Sequence, residues 1–220
     1  LPMKVFSKEQ KTTLFVCLAL LGVMTLISCA NAKPTPAPAP PLPSPGLPKA
    51  PAPGNPQPTP AEAWSPDGVI GSHEYLSEAS YGDYELFWVN DAQYIYVAMK
   101  AKTSGWVAMA VQPGTKMNQA DMVFGYVKDG TVTIFDLFSL GDTGPHPPDT
   151  DQGGKNDILA FGGSEQGGYT IIEFKRALDT SDQYDNKLAI GKNQIIWAHG
   201  SIDDLRMKHS ARGYGEIILY

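Results

Sequence analysis

The chain has 220 residues and a formal net charge of −6, from 17 basic and 23 acidic side chains. Residues 63–220 hold 12 of the basic and 21 of the acidic side chains. A surface that acidic is a poor nucleic-acid binder, because phosphate groups require clustered positive charge. Both cysteines, Cys17 and Cys29, precede residue 63. Residues 63–220 therefore cannot contain a disulfide framework, a thiolate zinc site, an iron–sulfur cluster or a catalytic cysteine.

The first segment has a basic start, Lys4–Lys11, and then an apolar run, Leu14–Ile27. This layout is typical of a secretory signal, and the run is shorter than the roughly 20 residues that span a bilayer. The run ends in Leu-Ile-Ser-Cys at Cys29, which resembles the lipobox of bacterial lipoproteins. The resemblance implies a signal peptide over 1–28 and a lipid on Cys29 that holds the protein at the cell membrane, facing the extracytoplasmic side. The alternative is an ordinary signal peptide with a chance cysteine.

Residues 29–62 are rich in proline, with 13 of the 19 prolines between Pro34 and Pro60. Proline lacks a backbone donor and fixes φ, so this segment is expected to form neither helix nor sheet. Such sequences favour extended polyproline II structure. We interpret the segment as a stalk that holds a domain away from the membrane. A ligand for a proline-recognition domain is the competing interpretation.

From residue 63 onward the pattern is apolar alternation interrupted by Gly, Asp and Asn, which predicts strands. The dipeptide Asp129-Gly130 between two such runs is a strong hairpin signal. The long stretch Ser139–Lys155 is predicted to be an irregular loop. Eight or more strands over 63–220 predict one all-β domain, an immunoglobulin-like antiparallel β-sandwich. The predicted strands are Tyr84–Val89, Tyr94–Ala101, Trp106–Gln112, Met122–Lys128, Thr131–Phe138, Tyr169–Phe174, Gln194–His199 and Glu216–Tyr220.

Catalytic motifs are missing from the sequence. There is no G-x-S-x-G nucleophile turn, no glycine-rich nucleotide loop and no H-E-x-x-H zinc motif. Covalent haem is excluded because the chain has no C-x-x-C-H. We therefore expect a protein that is not itself an enzyme.

A set of short motifs is more informative than any one of them. In chain order they are Gly105-Trp106, Met117 with Ala120-Asp121, Glu173–Thr180 (EFKRALDT), Trp197–Gly200 (WAHG) and His209–Gly213 (HSARG). As a set they resemble the DOMON family, which includes the haem-binding domain of cellobiose dehydrogenase and a domain of dopamine β-monooxygenase. The resemblance covers most of residues 64–220. It implies a β-sandwich and, in one branch of the family, non-covalent haem b.

In the haem-binding branch, iron is held between the methionine before Ala-Asp and the histidine before Arg-Gly. The matching positions here are Met117 and His209. The resemblance also implies an apolar lining and a basic partner for a propionate, either Arg212 or Lys208. Residues suited to the lining are Trp106, Phe124, Tyr126 and Trp197.

Some positions leave alternatives open. Gln119 stands where a small residue, often glycine, precedes Ala-Asp in the family, and His199 is a second candidate imidazole. His146 lies in the predicted loop, where it is a candidate for contact with a partner or the haem edge. In general, a methionine in a turn more often packs than binds metal, and a histidine in a loop is usually solvated.

The lipobox and DOMON resemblances together imply a membrane-anchored electron-transfer protein that exchanges single electrons with a redox partner protein. Methionine and histidine together fill both axial positions of a haem iron, which leaves no open site for substrate. One alternative is a module of the same fold that binds a carbohydrate or another small ligand without haem, and a third possibility is a structural or adhesive surface domain. Tyr75, Tyr81 and Tyr84 would favour carbohydrate binding if they line one open face.

The lipid anchor can be tested at Cys29. Two or three acyl chains give firm attachment where one does not, so Cys29→Ala is expected to release the protein from membranes or leave it unprocessed. The measurement is membrane fractionation with N-terminal sequencing, with Cys17→Ala as the matched control. Normal cleavage and unchanged fractionation of Cys29→Ala would contradict the lipoprotein interpretation.

Overall fold

The computed structural model describes residues 64–220, which form two five-stranded antiparallel sheets. The strands are β1 (Ser77–Tyr81), β2 (Tyr84–Asn90), β3 (Tyr94–Ala101), β4 (Val107–Val111), β5 (Asp121–Lys128), β6 (Thr131–Phe138), β7 (Ile158–Gln166), β8 (Tyr169–Ala177), β9 (Gly191–His199) and β10 (Ala211–Leu219). The first sheet has the order β1-β2-β3-β8-β7, and the second has the order β10-β9-β4-β5-β6. The predicted antiparallel β-sandwich is therefore confirmed.

A short 3-10 helix, Asp149–Gln152, lies in the connection between β6 and β7. Across residues 64–220 no helix is both long and apolar enough to cross a bilayer. The predicted signal peptide (1–28), the lipidation at Cys29 and the proline-rich stalk (29–62) lie outside the described residues.

The core lies between the two sheets, because alternate residues of each strand point inward. Its largest fully buried side chains include Trp88, Tyr84, Phe174 and Leu86. The second sheet contributes smaller aliphatic residues to the same core, among them Val107, Met109, Val111, Val123, Ile195 and Ile217.

Each of the eight predicted strands corresponds to an observed one, and β1 and β7 were not predicted. β1 has the sequence SEASY, and β7 has glycines at 162 and 163, so neither shows the apolar alternation that marks a strand. β10 begins at Ala211 instead of Glu216, because the glycines at 213 and 215 conceal its first half. The Asp129-Gly130 hairpin is confirmed: both residues have positive φ, 50° and 75°, as a type I′ turn requires.

The chain enters the sandwich through residues 64–76, which run across the outer face of the first sheet. The backbone N–H of Gly68 donates to Glu173 Oε2 at 2.6 Å, and the Tyr75 hydroxyl donates to Glu173 Oε1 at 2.7 Å. The Pro66 carbonyl fills the space above Gly162, where any Cβ would overlap it. We call residues 64–76 the strap. Its contacts explain both why Glu173 is buried and why β7 has a glycine at position 162.

Glu173 is fully buried, and this raises the pKa of its carboxyl to about 7, against the effect of its two hydrogen-bond donors. A buried acid whose pKa is raised on folding stabilises the folded state below its unfolded pKa. That stabilisation is lost as the pH rises through the folded pKa.

We expect Glu173→Gln to remove this pH dependence. The quantity to compare is the difference in free energy of unfolding, the unsubstituted chain minus the variant. This difference should fall as the pH rises from about 5 to about 8, with a limiting slope of about 1.4 kcal/mol per pH unit. The measurement is urea unfolding at several pH values. Other carboxyl groups are present in both chains, so their contributions cancel. Glu78→Gln, at an exposed position of β1, is the control and should follow the unsubstituted chain. If the free energy of unfolding of Glu173→Gln changed with pH in parallel with that of the unsubstituted chain, the prediction would be contradicted.

Candidate functional site

The outer face of the second sheet is apolar, although the outer face of an antiparallel sheet is usually polar. Along β5, Val123 and Val127 point into the core, while Met122 and Phe124 point outward and are nevertheless buried. These outward residues belong to a second apolar cluster, which we call the outer-face cluster. Its members are Trp106, Ala108, Ala110, Met117, Ala120, Met122, Phe124, Tyr126, Phe135, Leu137, Ile196, Ala198 and Leu205.

Strands β4 and β9 contribute small side chains to the middle of the outer-face cluster. Ala108 pairs with both Phe124 and Ala198, and Ala110 pairs with both Met122 and Ile196. Larger side chains therefore stand on either side of a row of alanines. This arrangement leaves a shallow floor between taller apolar walls.

Two connections fold over this floor. The β4–β5 connection (112–120) contributes Met117 to the outer-face cluster, and the β9–β10 connection (200–210) contributes Leu205. Val107 pairs with His199 and Val111 with Ile195, so β4 and β9 end at opposite ends of their paired region. The two connections therefore leave the sheet about 14 Å apart and approach the same face from opposite directions.

The turn that presents Met117 is held by its own backbone. The N–H of Ala120 donates to the Met117 carbonyl at 2.9 Å, and the N–H of Gly114 donates to the Asn118 carbonyl at 2.8 Å. Gln119 has a φ of 60°, in the left-handed region that favours glycine. Glycine, which the resemblance to the DOMON family implies at this position, would adopt this conformation without strain.

Two hydrogen bonds hold Gln119 in this conformation. Its N–H donates to the Ser139 carbonyl at 2.9 Å, and its carbonyl accepts from Asn186 Nδ2 at 2.8 Å. The turn is therefore preserved without glycine.

His209 is half-buried near the end of the β9–β10 connection, two residues before β10. The next residue, Ser210, is fixed by its backbone N–H, which donates to the His199 carbonyl at 2.7 Å. Burial, with the positive charges of Arg212 and Lys208, lowers the pKa of His209 and favours a neutral imidazole. Arg212 pairs with Ala198, which places it on the outer face at the β10 edge.

Trp106 carries a polar atom without a partner. Its ring lies 4.5 Å from that of Phe124, and Gly200 leaves the space that the indole occupies. Its Nε1 is buried and has no hydrogen-bond partner among the described residues. Buried indole N–H groups usually have an acceptor. A ligand with an acceptor atom at this position would provide one.

Trp197 does not line the outer-face cluster, which corrects the sequence-based expectation. It alternates with Ile196 and Ala198 along β9 and therefore points to the opposite face of the sheet. Its ring stacks on Tyr84 and Tyr81, with centroids 5.1 Å and 5.4 Å away. Trp106, Phe124 and Tyr126 do belong to the outer-face cluster, together with Met117.

The alternative ligands and the tyrosines also have defined positions. His199 is buried and pairs with the inward-facing Val107, so it lies on the face of the sheet opposite Met117. His146 is half-buried in the β6–β7 connection. The three tyrosines that would favour carbohydrate binding do not form an open face, because Tyr84 is buried, Tyr81 stacks on Trp197 and the Tyr75 hydroxyl is bonded to Glu173.

The DOMON family model matches residues 80–200, more than half of the chain. The chain belongs to the DOMON family. In mouse, DBH-like monooxygenase protein 1 is 27% identical over 140 residues, which cover 64% of this chain and 22% of the relative. In Drosophila melanogaster, MOXD1 homolog 1 is 28% identical over 122 residues, which cover 54% and 17%. The chain thus spans about a fifth of the length of these relatives.

Two solved structures are similar to this DOMON domain. The cytochrome b domain of pyranose dehydrogenase from Coprinopsis cinerea has a TM-score of 0.44 at 13% identity, covering 64% of this chain and 75% of that chain. The cytochrome domain of Myriococcum thermophilum cellobiose dehydrogenase has a TM-score of 0.46 at 12% identity, covering 62% and 75%.

Proposed function

We propose that this DOMON domain binds haem b non-covalently on the outer face of its second sheet, between Met117 and His209, and carries single electrons. The observation that carries the proposal is the pair of connections that approach one apolar face from opposite directions. Met117 lies in one of these connections and His209 in the other, so the two side chains would hold the group from opposite ends of the face. The register of β4 with β9, which puts the two connections at opposite ends of the paired strands, supports this assignment.

The side chains around the floor suit a flat, apolar group with acidic edges. Ala108, Ala110 and Ala198 contribute only methyl groups to this face, and Phe124 and Tyr126 contribute aromatic rings. Arg212 lies at the β10 edge of the same face, where a guanidinium pairs well with a carboxylate. The unpartnered Nε1 of Trp106 is a further donor inside the cluster.

A haem held by the Met117 thioether and the His209 imidazole would supply one-electron transfer at a raised potential. The residues of this chain would then position the group, exclude water from it and hold its carboxylates. We therefore propose a carrier that serves a redox partner protein and not an enzyme in its own right.

We further propose that the domain acts on the extracytoplasmic side of a membrane, anchored through a lipid on Cys29. Residues 29–62 would form the stalk between anchor and domain. The proline content of that segment supports an extended spacer.

We expect His209→Ala to lower haem affinity by more than about tenfold, since substitutions that merely support metal ligands already cost that much. Met117→Ala is expected to retain part of the haem, with a lower reduction potential because the sulfur ligand is gone. The measurements are haem stoichiometry from the Soret band after reconstitution, and potentiometric titration.

The controls for this experiment are Met207→Ala, at an exposed position in the β9–β10 connection, and His146→Ala. Both should retain the low-spin spectrum of the unsubstituted chain. A spectrum unchanged by Met117→Ala and His209→Ala would refute the ligand assignment. An unsubstituted chain that stays colourless after reconstitution would refute haem binding and favour the non-haem ligand-binding alternative.

A further inference from the structure

A second group of residues with unsatisfied polar atoms lies at one end of the interior between the sheets. It consists of five aspartates, which we call the acidic cluster, and one arginine. Four of the aspartates come from β5, β6, the 3-10 helix and the residue before β7, and the fifth comes from the β8–β9 connection. The five are Asp121, Asp136, Asp149, Asp157 and Asp185.

Arg176 on β8 is the basic partner of the cluster. Its Nη1 donates to both oxygens of Asp121, at 2.9 Å and 2.7 Å, and its Nη2 lies 3.5 Å from Asp185 Oδ1. The N–H of Asn186 also donates to Asp121 at 2.8 Å. Asp121 is therefore satisfied by the protein alone.

The remaining aspartates are not satisfied in this way. Asp149 is fully buried, and neither of its carboxylate oxygens has a hydrogen-bond partner. The Asp185 side chain is 2% exposed, and neither of its oxygens has a hydrogen-bond partner either. Asp136 accepts one hydrogen bond, from the N–H of Asp157, but its Oδ1 has none.

Buried carboxylates without partners are costly, and the one arginine of the cluster is already paired with Asp121. The positions of the oxygens suggest what compensates for this cost. Asp121, Asp136 and Asp185 each offer an oxygen within 4.8 Å of the other two. Oxygens bound to one Ca²⁺ lie at about 2.3–2.6 Å from it, so two on opposite sides are about 5 Å apart. The observed spread fits a single ion of that size.

We propose that the acidic cluster is a calcium site in which Asp121, Asp136 and Asp185 supply the oxygens that already lie within reach of one ion, and the unpartnered carboxylate of Asp149 is a further oxygen donor. The available donors are oxygens, without the nitrogen or sulfur donors that zinc prefers. Mg²⁺ usually retains several waters, which suits this buried position poorly, whereas Ca²⁺ accepts six to eight oxygens in flexible geometry.

The site also has a structural connection to the turn that presents Met117. Asp121 follows Ala120 directly, and Asn186 donates both to Asp121 and to the carbonyl of Gln119. A cation that fixes the β8–β9 connection would thus also fix the base of the β4–β5 connection. The calcium proposal does not depend on haem binding, since none of its ligands belongs to the outer-face cluster.

The test uses the full chain, stripped of metal with a chelator and titrated with Ca²⁺ alone in calorimetry and thermal unfolding. We expect one Ca²⁺ to bind per chain and the melting temperature to rise by several degrees at saturation. No binding and no thermal shift at about 10 mM Ca²⁺, above the range of weak extracellular sites, would overturn the proposal. An equal response to Mg²⁺ would overturn the assignment to calcium.

Asp149→Asn and Asp185→Asn identify the site. Each should weaken Ca²⁺ binding by at least about tenfold. Each should also leave the melting temperature of the metal-free chain at or above that of the unsubstituted chain, because an amide in place of a buried carboxyl group carries no charge. A variant that was merely misfolded would melt lower instead. Asp151→Asn, at an exposed position in the same 3-10 helix, is the matched control and should bind Ca²⁺ as the unsubstituted chain does. Unchanged binding by Asp149→Asn and Asp185→Asn would overturn the assignment of the ligands.

Discussion

The second sheet is covered by apolar groups on both faces, and much of the structure depends on this constraint. Strand geometry sends alternate side chains to opposite sides, so β5 must carry apolar residues at consecutive positions. Val123 faces the first sheet, while Met122 and Phe124 face away from it and need cover of their own. The β4–β5 and β9–β10 connections provide part of that cover, which is why these loops lie back on the sheet. The shape of the candidate site therefore follows from the composition of one strand.

The pair formed by Arg176 and Asp121 links the two sheets at one end of the core. Arg176 belongs to β8 of the first sheet and Asp121 to β5 of the second. Both side chains are almost fully buried, and Arg176 Nη1 donates to both oxygens of the Asp121 carboxylate. Losing one partner would leave an uncompensated buried charge, which is far more costly than losing an exposed ion pair. The same arginine faces Asp185, so the packing of the sheets and the acidic cluster share one group.

The sequence was informative where local rules decide the structure. The Asp129-Gly130 turn and the runs around β2, β3 and β5 follow from turn chemistry and alternation. Trp197 was misplaced because its side of the sheet depends on register, which a short motif does not specify. The acidic cluster could not be predicted, since its members are spread from residue 121 to residue 185 and only folding brings them together. Ala-Asp and the arginine of EFKRALDT were visible as family motifs, but nothing local indicated that they face each other.

The strap decides which side of the domain is free to meet other molecules. Trp64 packs edge-on against Tyr96, and Gly68 and Tyr75 bind Glu173, all on the outer face of the first sheet. The outer-face cluster lies on the second sheet, on the far side of the sandwich. The polypeptide that leads into the domain thus joins it behind the candidate site. Another molecule could therefore approach the second sheet without steric competition from residues 64–76.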